Sequence, residues 1–315
     1  MTREEYQAQK VARERMRQME QKHKQAARGS MDLPFLILTV LLTVVGLIML
    51  FSASFPRAYY DTGDGTYYFK RQALFAAVGM AAMFVIAKIN YQRWRGASRM
   101  LVGLALFLLI LCTGAVLMIV GGIQGWLVGA GVGGVAALGF LFIRLAEKGI
   151  IKYGAARIAM WHDPWLDYSG DGYQLAQSLI TIGSGGLLGV GFGRSRQKFL
   201  YLPEQYNDFI FSVVCEELGL IGACVIMLIF ALLILRGFWI ALHARDRFGA
   251  LLTVGIMTHL ALQTFLNIAV VSGFVPTTGI SLPFFSYGGT ALCLQLAEMG
   301  IVLSVSRQIP APKAG

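Results

Sequence analysis

The 315-residue chain is 56% hydrophobic and only 14% charged, with a mean hydropathy of +0.62, whereas soluble globular domains carry about a quarter of their residues as charges. Composition therefore excludes a soluble globule. The net charge of +10 gathers in the N-terminal tail and in short loops beside apolar runs, the pattern that orients membrane helices, and it gives no reason to expect nucleic acid. Runs of about 20 apolar residues, enough to cross a hydrocarbon layer of ~30 Å, recur along the chain. Helices are expected because they satisfy their backbone groups within the segment, so the fold class is all-α, a polytopic transmembrane bundle.

Residues 1–30 form a polar, helix-prone tail with eight Lys/Arg against four Glu. It lacks the apolar core and small-residue cleavage site of a secretory signal and is expected to remain as a cytoplasmic arm, with weak binding to anionic lipid as a second reading. Residues 31–157 are assigned to N-terminal transmembrane helices. The first span covers about 33–53, with Pro34 tolerable in a first turn. An exposed Gly- and Asp-rich loop, Arg57 to Lys70, follows. The second span covers about 72–88, and Lys88, Arg93, Arg95 and Arg99 place the next loop in the cytoplasm.

Residues 101–143 are almost wholly apolar, interrupted by Gly121, Gly122, Gln124 and Gly125. Read as two spans, they would leave the following polar segment in the cytoplasm. The C-terminal side gives the opposite answer. A run over 209–242 finishes at Arg236, His243, Arg245 and Arg247, spans follow at about 249–272 and 285–305, and Arg307 and Lys313 return the tail of residues 309–315 to the cytoplasm. Residues 158–208 are then an extracellular loop, both termini are cytoplasmic, and 101–157 is not a simple pair of spans.

That loop and its border hold Asp163, Asp167, Asp171, Arg194, Arg196, Lys198, Glu204 and Asp208. Its aromatic content (Trp161, Trp165, Tyr168, Tyr173, Phe192, Phe199, Tyr201) predicts a segment partly folded onto the membrane domain, as long ordered loops with a function tend to be. The glycines at 183, 185, 186, 189, 191 and 193 are followed by no GK[ST], so close helix packing and tight turns are expected rather than a nucleotide loop. Cys112, Cys215, Cys224 and Cys293 read as packing residues, and His23, His162, His243 and His259 have no metal-ligand spacing.

By itself, Asp208 at the start of a span reads as a solvated end or a charge favoured by the helix dipole. Lys198, Arg194 and Arg196 form a cationic cluster that suits a phosphate group or ordinary snorkelling. Glu204 lies four residues before Asp208, on the same face if that turn is helical. The two carboxylates then offer oxygen ligands for Mg or Mn, unless Glu204 merely caps the next helix. Glu216 and Glu217 lie deeper in an apolar run and require partners there. Ser286, Tyr287, Gly288 and Gly289 stand at the outer start of the last span, either lining a cavity or forming a turn.

Four stretches in order carry a resemblance: GYQLAQSLITIGSGGLLGVGFG (Gly172 to Gly193), QKFLYLPEQYNDFIFSVVCEELGLIGA (Gln197 to Ala223), DRFG (Asp246 to Gly249) and PTTGISLPFFSYGG (Pro276 to Gly289). They resemble the family of shape, elongation, division and sporulation proteins that contains FtsW, RodA and SpoVE. The match covers Arg157 to Gln308 continuously and Met31 to Met100 loosely. HDPW at His162 to Trp165 and PTTG at Pro276 to Gly279 look more like the division and sporulation branch.

The resemblance implies a peptidoglycan glycosyltransferase of the bacterial cytoplasmic membrane that polymerises lipid II, the undecaprenyl-pyrophosphate-linked disaccharide-pentapeptide, beside a class B penicillin-binding protein and other divisome or elongasome membrane proteins. Asp208 aligns with the essential aspartate of that family. Lys198 stands in a family motif and is preferred over Arg194 and Arg196. Lys198, Glu204, Arg194, Gln197, Tyr173, Gln174, Ser286, Tyr287 and Gly288 are the expected substrate-binding residues, with a divalent cation as the only cofactor expected.

One departure stands out. The family's Arg-Trp, Gln-Pro-Ser-Glu and Gln-Pro-Asp motifs are absent, and the pattern breaks off near Leu111 and resumes near Thr113, where TGAVLMIVGGIQG resembles the family's sixth span. An internal block of spans is missing by this reading, which keeps a non-catalytic scaffold open beside the enzyme. A lipid II transporter is the other alternative; Gln263, Asn267, Gln295 and Glu298 are the few internal polar residues it would use.

Overall fold

The structure, a computed structural model, describes residues 30–93, 161–170 and 172–309. Expectations for the N-terminal tail, for Asp171, for 101–157 with Cys112, and for the last residues lie outside these. Among the described residues all regular structure is helical: α1 (Leu33–Thr62), α2 (Tyr67–Lys88), α3 (Tyr173–Gly185), α4 (Ile210–Leu242), α5 (Arg247–Val271) and α6 (Gly289–Ser306), with a short 3-10 turn at Tyr91–Arg93. All but α3 are long and apolar enough to cross a membrane.

α1 begins where the Asp32 carboxylate accepts the Phe35 N–H at 3.0 Å, and Pro34 falls in the first turn, where no intrahelical N–H is needed. The expected loop from Arg57 to Lys70 is a correction. α1 continues through Pro56 to Thr62, because Arg57 and Asp61 pair one turn apart at 2.9 Å, and it stops at Gly63 in a left-handed conformation. Only Gly63–Thr66 connects it to α2. Asp64 closes that connection, accepting from Thr66 Oγ1 at 2.6 Å and from the Thr66 N–H at 2.9 Å. Those bonds, with Lys70, hold its carboxyl down at about 2.

The helices define two ends. At one, Arg236 grips Asp32 (Nη2 to Oδ2 2.7 Å), Tyr91 Oη donates to Asp246 at 2.7 Å, and Gln308 reaches Asn90 at 2.9 Å. At the other, Tyr68 stacks on Tyr206 and meets Tyr287 edge-on, while Trp161 donates to the Gly273 carbonyl at 2.8 Å. Lys88, Arg93, Arg245 and Arg247 flank the helix termini at the first end, where Arg307 also donates to the Ala87 carbonyl. Arg93 and Trp161 therefore stand at opposite ends of the bundle.

α2 packs on α6 through small residues. A Cβ on Gly79 would lie 2.8 Å from Leu296 Cδ1, and one on Gly300 would lie 2.7 Å from the Met83 carbonyl, the close approach by which helices associate in lipid. Gly46 of α1 meets the Phe284 carbonyl in the same way. The last span starts at Gly289 rather than 285, since 282–288 is irregular.

The expected single run over 209–242 is also corrected. α4 is broken at Gly219, with φ 70° and ψ −175°. The turn after α3 docks into this break. Val190 N–H donates to the Glu216 carbonyl at 2.9 Å and Gly191 N–H to Glu217 at 3.1 Å, while Leu220 and Ile221 donate back to Gly186 and Leu187. Exposed peptide groups are costly at membrane depth, and here each segment satisfies the other. The approach needs glycine: Cβ atoms on Gly185, Gly189 and Gly219 would lie 2.1–2.2 Å from main-chain atoms. The polar segment thus folds onto the membrane domain, as its aromatic content predicts.

Candidate active site

Asp208 is the last but one residue before α4, at the end of the bundle that holds the α1–α2 connection, and is half-buried. The three carbonyls leading to it are each held by a different donor. Tyr287 N–H bonds the Tyr206 carbonyl at 2.9 Å, Ser286 Oγ the Asn207 carbonyl at 2.8 Å, and Asn267 Nδ2 the Asp208 carbonyl at 2.7 Å. The carboxylate stands against the PTTG stretch: Oδ2 is 3.5 Å from where a Cβ on Gly279 would sit. Burial, and then the charge of Glu204, raise its pKa above the ordinary 3.8. A carboxylate disfavoured in its charged form is a stronger proton acceptor.

Glu204 does not share a helical face with Asp208, which corrects that expectation. Its φ is +54°, and its carbonyl accepts from the N–H groups of Asn207 (3.0 Å) and Phe209 (3.3 Å). It is exposed, with Oε2 accepting from Asn207 Nδ2 at 2.6 Å. No group of three or more His, Cys, Asp or Glu able to hold a metal exists among the described residues.

Lys198 is not a free cation at the water border, and this too is a correction. Only 3% exposed, its ammonium donates to Glu217 Oε1 at 2.8 Å, Ser52 Oγ at 2.9 Å and the Gly193 carbonyl at 2.8 Å. The cause is Glu217: a carboxylate at membrane depth demands a counter-ion, and Lys198 is the one its loop delivers. Glu216 is satisfied separately, by Ser195 Oγ and by the Arg196 N–H at 3.0 Å. Arg194 and Arg196 have the exposed cationic side chains of this cluster.

The other expected residues divide. Tyr173 donates from Oη to the Tyr201 carbonyl at 2.8 Å, and Gln174 is half-buried beside it in the first turn of α3. Gln197 keeps a buried Oε1 with no partner. Ser286 and Gly288 are engaged in the turn itself: Ser286 Oγ also accepts from the Leu282 N–H, and Gln72 bonds both the Ser286 carbonyl and the Gly288 N–H at 3.2 Å. Tyr287 packs its ring against Tyr68 and Tyr206.

Sequence reasoning missed Ser52, Tyr68, Gln72 and Tyr206 as members of this region, and gave Asn267 no place beside Asp208. Gln72 and Asn267 did carry a signal, since each is a polar side chain inside an apolar run.

The fold and the site define a polytopic helical membrane protein with an acidic group perched where the bundle meets water. The chain belongs to the FtsW/RodA/SpoVE family, whose model, described as a cell cycle protein, matches residues 32–134 and 113–310. It is 37% identical to stage V sporulation protein E of Bacillus subtilis over 359 aligned positions, covering 89% of this chain and 98% of the relative. It is 33% identical to the probable peptidoglycan glycosyltransferase FtsW of Geobacter metallireducens, covering 88% and 95%. The 359 positions exceed the 315 residues of the chain, so the sporulation relative contains residues with no counterpart here.

Two solved folds are similar. One chain comes from work on the structural coordination of polymerization and crosslinking by a peptidoglycan synthase complex, with TM-score 0.63 and 22% identity, covering 88% of this chain and 98% of that one. The other is the rod shape determining protein RodA of Thermus thermophilus, with TM-score 0.54 and 23% identity, covering 90% and 98%.

Proposed function

We propose that the chain is a peptidoglycan glycosyltransferase that polymerises lipid II on the outer face of the cytoplasmic membrane. The observation that carries this reading is Asp208: a half-buried carboxylate of raised pKa, held by three carbonyl contacts at the end of the bundle opposite Asp32 and Gln308. We assign to the cytoplasm the end at which the chain enters α1 from its basic N-terminal tail and which carries Lys88, Arg93, Arg245, Arg247 and Arg307, so that Asp32 and Gln308 lie inside and Asp208 faces out. In the reaction a sugar 4-hydroxyl attacks the anomeric carbon of the donor. Asp208 takes the hydroxyl proton, the new glycosidic C–O bond forms, and the bond from the anomeric carbon to the diphosphate oxygen breaks.

Arg194 and Arg196, whose side chains are exposed, are assigned to the diphosphate that leaves. Asp208 and Glu204 fit a hard divalent cation in donor chemistry, two carboxylates of which Asp208 senses the charge of Glu204, and Mg or Mn held there would add charge neutralisation. Tyr173, Gln174 and Gln197 border the loop that presents Asp208 and are assigned to substrate contact. A class B penicillin-binding protein is the proposed partner, beside other divisome membrane proteins. The sporulation and division names of the relatives favour that branch over elongation.

The test is reconstitution with that partner and lipid II. Asp208→Ala and Asp208→Asn are expected to insert and melt like a folded protein while forming no glycan strands. Strands of ordinary length from either variant reject the role of the carboxylate.

A further inference from the structure

Asn267, on the last turns of α5, is fully buried, yet only its donor half is satisfied. Nδ2 gives its two protons to two carbonyls, of Asp208 at 2.7 Å and of Ile280 at 2.7 Å, while Oδ1 is buried without a partner. The opposite amide assignment would set Oδ1 against two carbonyl oxygens, so the donor geometry fixes the orientation. A buried acceptor left unpaired is rare and asks for a reason. The two carbonyls supply one, because they belong to the two segments that meet at the Asp208 carboxylate: the entry to α4, and the residue that directly follows Gly279, whose Cβ position lies 3.5 Å from Oδ2.

We infer that Asn267 is a positioning residue for Asp208: its amide clamps the Asp208 and Ile280 backbones together and sets the depth and direction of the carboxylate. The inference rests on the glycosyltransferase reading and deepens it. Ser286 and Tyr287 hold the two preceding carbonyls from the α6 side, so without Asn267 the peptide next to the reacting side chain is free to turn while the rest of the loop stays in place. The clamp touches no substrate, and its loss is expected to lower turnover without altering the affinity for lipid II.

The experiment compares initial rates of lipid II polymerisation, over a range of lipid II concentrations, for the complete protein with its penicillin-binding partner. Asn267→Leu keeps the volume and removes both donors. Its kcat is expected to fall about 100-fold, the scale of an ångström of misplacement, with KM within roughly twofold. Asn267→Gln retains the amide and is expected to recover at least about tenfold of that loss in kcat.

A kcat for Asn267→Leu within roughly twofold of the parent overturns the inference, as does a loss shared equally by the Leu and Gln variants. If the Leu variant does not fold, Asn267→Asp, isosteric but facing both carbonyls with oxygen, is compared with Asn267→Gln. Equal turnover of those two overturns it, and a kcat deficit confined to Asp supports it. Asp208→Asn in the same assay separates the two ideas. If it is inactive while Asn267→Leu is not impaired, only the clamp fails; if it is active, the carboxylate reading fails whatever Asn267 does.

Discussion

Replacing Lys198 by Met breaks the buried pair without opening a large void. The side chains of Lys198 and Glu217 are 4% and 0% exposed, so neither is screened by water. After the change the Glu217 carboxylate keeps Ser52 Oγ at 2.6 Å and a long contact from the Ser195 N–H at 3.4 Å, with no cation. Removing one partner of such a pair costs about 3–5 kcal/mol. At about 2 °C per kcal/mol, the lower end for large domains, the apparent Tm drops by roughly 6–10 °C.

The assay is tryptophan fluorescence during a thermal ramp in detergent. The double variant Lys198→Met with Glu217→Gln removes the stranded charge and is expected to regain more than half of the drop, because a neutral amide still accepts from Ser52. A single variant that melts within about 1 °C of the parent, or a double variant no better than the single, refutes the argument. So does an intact melting curve with a raised KM for lipid II, which would return Lys198 to the substrate.

The raised pKa of Asp208 predicts two pH effects. Because the folded value lies above the unfolded one, its carboxylate destabilises the fold at neutral pH. Asp208→Asn is therefore expected to melt higher there, with the gain fading as pH falls through the raised value toward 3.8. A gain that grows on acidification contradicts the sign. Glu204→Gln removes the second cause of the shift and is expected to move the acid limb of the kcat/KM profile to lower pH; an unmoved limb detaches Glu204 from Asp208. Gly219→Ala places a Cβ 2.2 Å from the Gly189 nitrogen at a φ of +70°. It is expected to destabilise by about 3 kcal/mol or more, read as loss of folded protein after extraction; ordinary yield and melting would count against the docked turn.

Composition and span-length runs were enough for the class, for the five long helices among the described residues and for the placement of Asp208 beside one of them. Their ends were legible only where a local signal existed. Pro34 suits the first turn of α1, but the helix's extension to Thr62 depends on Arg57 meeting Asp61 in a stretch whose Gly and Asp content reads as loop. The break in α4 was hidden because Gly219 sits inside a run of membrane-spanning length with no Pro to mark it, and its partner turn lies some thirty residues away in sequence.

The site shows the same division. Asp208 was identifiable from its boundary position and the family motif. The need of Glu216 and Glu217 for partners was readable from their depth. Which cation answers Glu217 was not, since three candidates lie within five residues and only the fold decides that Lys198 turns inward while Arg194 and Arg196 stay in water. Asn267 contacts Asp208 across 59 residues of sequence, a distance at which spacing carries no message.

The junction of the α3 turn with the broken helix is built from main-chain amides and carbonyls, so variation there is filtered by geometry rather than by chemistry. Leu187 and Leu188, pointing outward at 67% and 80% exposure, can be exchanged for any lipid-compatible side chain, whereas Gly185, Gly189 and Gly219 admit no methyl group. A saturation library across 185–191 and 218–221 should accordingly return survivors in a punctuated pattern, permissive positions alternating with invariant ones, and that pattern would trace the docked surface without any structure at all.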